Sequence, residues 1–350
     1  MKQYGILIVM VILVLMLLPL PAFFSKTTSD NPSTSQTSSQ TTNTQNRPES
    51  SDTESSVSTT TSPTATDEKD SFKVLDTKTG NVIEINERDF IISTVACEMY
   101  PSYHTEALKA QAVAAYTYYS VQRNKNQSKL NPALKGADFS DVPNGFPEYY
   151  SVEGLKKRWG TQFDTYYNKI KNAVDAVFGK KIYYKDEAIV AAYHSIGLGE
   201  TENAKVVWGS EYAYLKSVPS PGDKLSPNYQ STAVFKETDF KNKILTLDKS
   251  VKFSNDPSSW ISGTPKASEA GTVTAITVGD KTFTGAQIRT AFGLRSACFT
   301  VRYSNKSFEF TVHGYGHGVG MSQYGADYLA RQGSDWQEIL HYYYTDIEIK

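Results

Sequence analysis

Residues 90–123 read FIISTVACEMYPSYHTEALKAQAVAAYTYYSVQR: an apolar segment ending in one acid, Glu98, then a break containing Pro101, then a long Ala-rich run. Phe90, Ile91, Val95 and Met99 fall near helical spacing, and Leu108, Ala112, Ala115 and Tyr119 form a second apolar stripe. The spacing predicts two helices, each with a buried face. Pro101 ends the first, and Thr105 followed by Glu106 offers a cap and a first-turn acid for the second. Glu98 then stands at a helix end beside a turn, among Val95, Ala96, Cys97, Met99 and Tyr100. A carboxyl with such neighbours is expected to be partly desolvated, which raises its pKa and prepares a general acid. Spacing alone favours the plainer reading, a solvated residue at a helix end.

Outward from this pair, the chain of 350 residues divides by composition. Residues 5–24 (GILIVMVILVLMLLPLPAFF) carry no charge and are long enough to span a bilayer, which takes roughly 20 apolar residues. They fit a membrane anchor or a signal peptide. The Pro-Ala-Phe-Phe-Ser ending and the long apolar run favour an uncleaved anchor, with residues 1–4 as a short cytoplasmic end. Residues 25–67 are almost wholly Ser, Thr, Gln, Asn and Pro, and they are expected to form a disordered tether. Its root-mean-square span is roughly 35 Å and its stretched limit about 140 Å, a reach suited to a target in the cell wall or in a narrow space between two membranes.

Residues 68–350 are enough for one large domain or two lobes with a sizeable core. Lys and Arg number 36 against 37 Asp and Glu, so the charge balance points to no nucleic-acid partner. The two cysteines, Cys97 and Cys298, fit small buried sites better than a disulfide.

Taken in order, residues 72–85 read as a β-hairpin leading into the first helix. Residues 124–150 read as an extended loop and 152–178 as one helix stopped by Gly179. Residues 181–192 are strand-like with a central turn. They deliver YHSIGLGETEN at 193–203, the composition of a loop at the edge of a cleft. Residues 233–283 are mixed short elements with a hairpin around Gly279 and Asp280. A short helix over 286–292 follows, then strands over 299–303 and 307–312. The last strand runs into HGYGHGVGMSQYGA at 313–326, where alternating glycines permit close backbone approach and Ser322 caps a helix reaching Arg331.

His313 and His317 are four apart, but the glycines between them oppose a helix and no H-E-x-x-H pattern is present. Adjacent His194 and Ser195 would point to opposite sides of a strand, and no G-x-S-x-G elbow occurs. The many tyrosines fit amphipathic packing, some of them stacking on sugar rings.

Three segments coincide with a known family. E-M at 98–99 followed by E-A-L-K-A-Q-A-V-A-A, Y-H-S followed by G-x-T-E-N and a Trp, and the closing H-G-x-G-H-G-V-G-M-S-Q-Y-G-A together resemble the stage II sporulation protein D family of lytic transglycosylases, over about residues 72–350. The resemblance implies cleavage of peptidoglycan glycan strands between N-acetylmuramic acid and N-acetylglucosamine, with Glu98 as the catalytic acid and a 1,6-anhydro sugar as product. It places His194, Ser195, Thr201, Glu202, Tyr315, His317, Ser322, Gln323 and Tyr324 along the groove that holds the sugar chain. Two departures from the family pattern stand out: Cys97 where a small residue precedes the Glu, and Tyr116 where an Arg is usual. Some members bind zinc through Cys and His in the loop after the long helix. Residues 124–150 hold neither type, so no metal and no cofactor is expected.

The resemblance also implies a setting. The protein would act in engulfment during sporulation, thinning septal wall from the mother-cell membrane facing the forespore. Its catalytic domain would lie outside the cytoplasm, working with a peptidoglycan amidase that strips stem peptides and with a membrane partner. A non-catalytic, wall-binding enhancer of an amidase is the alternative. The expected fold class is α+β, mixed helices and antiparallel strands in one large domain or two lobes around an open cleft.

Overall fold

The computed structural model describes residues 71–141 and 149–350. The expected anchor at 5–24 and tether at 25–67 lie outside the described residues, as does 142–148 of the expected loop. No helix among the described residues is long and apolar enough to cross a membrane. The fold class is α+β, built around two hydrophobic cores.

The first core begins with the hairpin β1 (Ser71–Leu75) and β2 (Val82–Asn86), in register Phe72↔Ile85 and Val74↔Ile83. The chain passes from β2 directly into α1 (Glu87–Glu98), because the Asn86 side chain accepts the N–H groups of Arg88 and Asp89 and so caps the helix. Met99 turns extended, Pro101 follows, and α2 (Thr105–Ser128) starts. Its cap is His104 rather than the expected Thr105: the His104 ring accepts the Glu106 N–H at 3.3 Å, and its own backbone N–H donates to Asp327 at 2.5 Å. Thr105 is already helical and leaves the cap position to its neighbour.

Helix α2 is buried over most of its first four turns and forms the axis of this core. The short β3 (Phe139–Ser140) pairs parallel with β1, giving structure to the end of what the sequence suggests is a loop. Phe72, Phe90, Tyr119 and Phe139 close the space between hairpin and helices, with Phe90 edge-on to Tyr119 at 4.8 Å.

The single helix expected over 152–178 is two, α3 (Val152–Trp159) and α4 (Phe163–Asp175). Gly160 at φ +52° breaks the first, a conformation that side-chain-bearing residues rarely adopt. Leu155, Phe163, Ile170 and Val174 still face inward on the predicted period. A hairpin of β4 (Ile182–Tyr184) and β5 (Glu187–Ala188), then β6 (Tyr193–His194) and α5 (Ala204–Trp208), complete this stretch.

The second core lies between two three-stranded sheets. One orders β11 (Phe299–Ser304), β12 (Ser307–His313) and β7 (Gln230–Lys236); the other orders β10 (Lys281–Phe283), β9 (Val273–Val278) and β8 (Ile261–Ala267). Both pair antiparallel throughout. Helices α6 (Glu237–Leu247) and α7 (Gly285–Phe292) pack here. The sequence pattern does not announce α6, which buries only Phe240 and Ile244, one turn apart.

From β12 the chain crosses at 314–320 into β13 (Met321–Ser322), α8 (Gln323–Arg331) and α9 (Trp336–Tyr343), which belong to the first core, and ends in β14 (Glu348–Ile349) on β4. Cys97 and Cys298 form no disulfide.

Phe240 stacks on Phe308 at 3.8 Å between ring centres and meets Trp260, Phe292 and Phe310. Phe240→Ala is expected to cost about 3–5 kcal/mol of stability. Urea unfolding checks this through a fall in midpoint at unchanged slope.

Candidate functional site

Glu98 is the last residue of α1, so its carboxyl projects where that helix stops and the chain turns away. Gln323, the first residue of α8, donates from Nε2 to Glu98 Oε2 at 3.2 Å and to Gln111 Oε1 of α2 at 3.4 Å. Three helices thus meet at one amide. Burial raises the Glu98 pKa from its ordinary 4.5 to about 8, against the opposing effect of the Gln323 hydrogen bond. No carboxylate among the described residues shifts it. Glu98 therefore holds its proton at neutral pH, in a partly buried position that still reaches solvent.

Tyr315 lies within electrostatic reach of this acid, and Tyr100 follows it two residues on. Burial pushes the Tyr315 hydroxyl up to about 12, against the Arg295 and Arg289 charges, with Glu98 and Tyr100 adding to the rise. The Arg295 guanidinium lies 4.8 Å above the Tyr315 ring. Tyr324, one residue past Gln323, faces Tyr103 edge-on at 6.3 Å and donates from its hydroxyl to the Leu225 carbonyl at 3.4 Å.

The loop over 314–320 holds Tyr315 in place by backbone pairing. Tyr315 and Ile196 exchange N–H to carbonyl bonds at 2.8 and 3.0 Å, and the Gly316 N–H donates to the Arg295 carbonyl at 3.0 Å. Strand β13 then runs parallel to β6, Met321 beside Tyr193 and Ser322 beside His194. Two glycines make that approach possible: a Cβ on Gly320 would lie 2.1 Å from the Ala192 carbonyl oxygen, and one on Gly316 2.7 Å from the His194 Cβ. Both have positive φ.

Beneath the loop lies a buried polar layer. The Val319 carbonyl can only accept, so His194 Nδ1 donates to it at 3.2 Å; the Val319 N–H can only donate, so His317 Nδ1 accepts at 3.1 Å. The two imidazoles are neutral, burial having lowered His194 to about 4 and pushed His317 well below its usual range. Ser322 caps α8 through the Gly325 N–H and donates to Asp223 Oδ1 at 2.5 Å; burial raises the Asp223 pKa against that bond.

The expected site residues separate by their relation to Glu98. Gln323 bonds to it, Tyr315 lies within its electrostatic reach, and Tyr324 follows Gln323 in the chain and faces Tyr103. His194, Thr201 and Ser322 have no exposed surface, and Glu202 and His317 almost none. These enclosed side chains brace the loops, and Tyr315 and Gln323 are themselves buried. Thr201, for example, is tied to Val218 and Ser217, and Glu202 accepts from Ser268 at 2.6 Å. Ser195 is partly exposed, and its carbonyl accepts the Tyr324 N–H. Sequence reasoning missed Gln111, Tyr100, Asp223, Arg289 and Arg295. Gln111 carried a signal, a polar residue inside the Ala-rich run. Tyr100 was in view only as a neighbour of Glu98 and Arg289 only as part of a short helix, while Asp223 and Arg295 come from segments without periodicity or motif.

A family model described as stage II sporulation protein matches residues 76–184, which include Glu98. The chain is 37% identical over 279 residues to the stage II sporulation protein D of Bacillus subtilis, covering 80% of this chain and 78% of that one. To its Bacillus amyloliquefaciens counterpart it is 36% identical, over 82% and 80%. This chain belongs to the stage II sporulation protein D family. A more distant similarity, 26% identity over 71% of this chain and 38% of the other, links it to an amidase enhancer of Bacillus subtilis.

Tyr116, expected to depart from the family pattern, joins a buried cluster. Its hydroxyl donates to the buried Glu87 at 2.6 Å, and Arg123 pairs with the same carboxylate. Glu87 opens α1 and Glu98 closes it, so this cluster lies about 16 Å along the helix from the acid.

Between pH 4.5 and about 8 the folded chain binds the Glu98 proton while the unfolded chain releases it, so stability falls as pH rises through that window. Glu98→Gln removes this slope. Urea unfolding at pH 5 and pH 8 is expected to show the variant gaining stability relative to wild type with rising pH, by at most about 1.4 kcal/mol per unit.

Proposed function

We propose that this protein is a membrane-anchored lytic transglycosylase that cleaves stem-peptide-free peptidoglycan strands between N-acetylmuramic acid and N-acetylglucosamine during engulfment. The observation that carries the reading is the Glu98 carboxyl, protonated at neutral pH, bonded to an amide and, among the described residues, paired with no second acid. Ordinary glycosidases need two carboxylates because one must activate water or attack the sugar. A transglycosylase uses the substrate's own 6-hydroxyl as nucleophile, and one carboxyl serves twice.

In the first step Glu98 donates its proton to the glycosidic oxygen as the bond to the anomeric carbon breaks, releasing the N-acetylglucosamine 4-hydroxyl. The electron-deficient muramic ring is then closed by its 6-hydroxyl oxygen. The Glu98 carboxylate takes the proton lost from that hydroxyl and returns to its starting state. Gln323 steadies the carboxylate between the steps, donating to whichever charge develops on Oε2.

The anchor over residues 5–24 and the tether over 25–67 would place the domain on the wall side of the mother-cell membrane. There it would act with a peptidoglycan amidase and a membrane partner. A second reading, a wall-binding protein that enhances an amidase without cutting glycan, is favoured by the similarity to an amidase enhancer.

Glycan strands freed of stem peptides, incubated with the full-length chain and analysed by mass spectrometry, are expected to gain 1,6-anhydro-muramic ends. Glu98→Gln should lose turnover by roughly 10²–10⁴-fold while still binding strands. The wild-type rate should fall as pH rises through about 8, where the donating proton is lost. Reducing ends would contradict the mechanism, and intact strands in the presence of a stimulated amidase would establish the enhancer.

A further inference from the structure

Two guanidinium groups act on Tyr315, and among the described residues neither is balanced by a carboxylate. Arg295 lies over the Tyr315 ring at 4.8 Å, and its one hydrogen bond among the described residues goes to the Asn228 carbonyl at 3.4 Å. Arg289, from the last turn of α7, donates to the Leu294 carbonyl at 3.4 Å. Neither joins an ion pair among the described residues, although Arg88, Arg123, Arg302 and Arg331 all do. Both charges act on the Tyr315 hydroxyl, which Glu98 also reaches, and Arg295 acts on Tyr100 as well.

A guanidinium carries five N–H donors in a fork that matches a carboxylate, and one left without an anion is open to a ligand's. The protein supplies no such anion here among the described residues. Arg295 is also held rigidly: its carbonyl accepts the Gly316 N–H, and its side chain rests on Tyr315. This is an arrangement for a ligand anion one aromatic ring away from the acid.

We propose that Arg295, reinforced by Arg289, binds the lactyl carboxylate of an N-acetylmuramic acid unit that has lost its stem peptide. The inference rests on the glycan-cleaving reading and adds to it the means of substrate selection. The muramic residue is the sugar whose anomeric bond is cut, and its lactyl group is borne on the same ring. While a stem peptide is attached, that group is a neutral amide; removing the peptide restores a carboxylate. The arginines thus distinguish a stripped strand from a clothed one by charge at the point where the difference lies.

The test compares two substrates on the full-length chain: glycan strands freed of stem peptides and of teichoic acid, and the same strands with the lactyl carboxyl converted to the methylamide. Wild type is expected to favour the free carboxylate in kcat/KM by roughly 10- to 100-fold. Arg295→Gln should lose that preference by slowing on the carboxylate strands alone, staying within about threefold of wild type on the amide, and Arg295→Lys should keep part of it. Equal cleavage of both substrates by wild type overturns the proposal, as does an Arg295→Gln loss of the same size on each.

A failure of the transglycosylase reading appears separately, as no cleavage of either substrate. Strand binding to Glu98→Gln, with and without Arg295→Gln, then decides the matter. Binding that needs both the carboxylate and Arg295 upholds the proposal, and equal binding overturns it.

Discussion

Everything at this site depends on withholding water from one carboxyl. Glu98 lies where α1 ends against α2 and α8, and its burial outweighs the hydrogen bond that would favour the charged form. Had the balance gone the other way, the group would be an ordinary carboxylate with no proton to give. Gln323 is suited to this balance because an amide can steady the carboxyl without bringing a charge. A Lys or Arg in its place would pull the pKa down and remove the acid.

The site draws on both cores. Helices around α2 carry Glu98 and Gln111, while the strands of the second core lead into Tyr315 and Arg295. The glycine loop over 314–320 crosses from one to the other, and its backbone pairs with the segments after β6 on the way. Gly316 and Gly320 are required by close approach, so this loop trades side chains for proximity. Its support is the neutral, buried layer of His194, His317, Ser322 and Asp223. Such polar groups inside a protein favour one arrangement when their partners are present.

Much of this was legible in the sequence where periodicity or a dense motif spoke. The hairpin before α1, the two helices on either side of Pro101, the cap at Ser322 and the strands leading to it all follow from local rules. Those rules drew attention to Glu98 among its apolar neighbours but favoured a solvated helix end, and it was the family resemblance that made it the candidate acid. They failed where a single residue could act in two ways. Thr105 looked like a cap but yielded to His104, which tertiary contact with Asp327 holds in place, and Gly160 divided a helix whose apolar period ran on unbroken. Depth was also invisible: a motif shows that His194, Thr201 and Ser322 matter, not whether they face the cleft or hold it up. The arginines were out of reach for a different reason: that neither forms an ion pair among the described residues is a property of the fold alone.

The central claim is that Glu98 carries a proton at neutral pH, and carbon NMR of the Glu side-chain carboxyls, followed through a pH titration, observes it directly. One carboxyl resonance is expected to titrate near pH 8 and to be missing from the Glu98→Gln spectrum. If instead the resonance lost with that substitution titrates near 4.5, Glu98 is an ordinary carboxylate at neutral pH, and the account of how this site works is wrong.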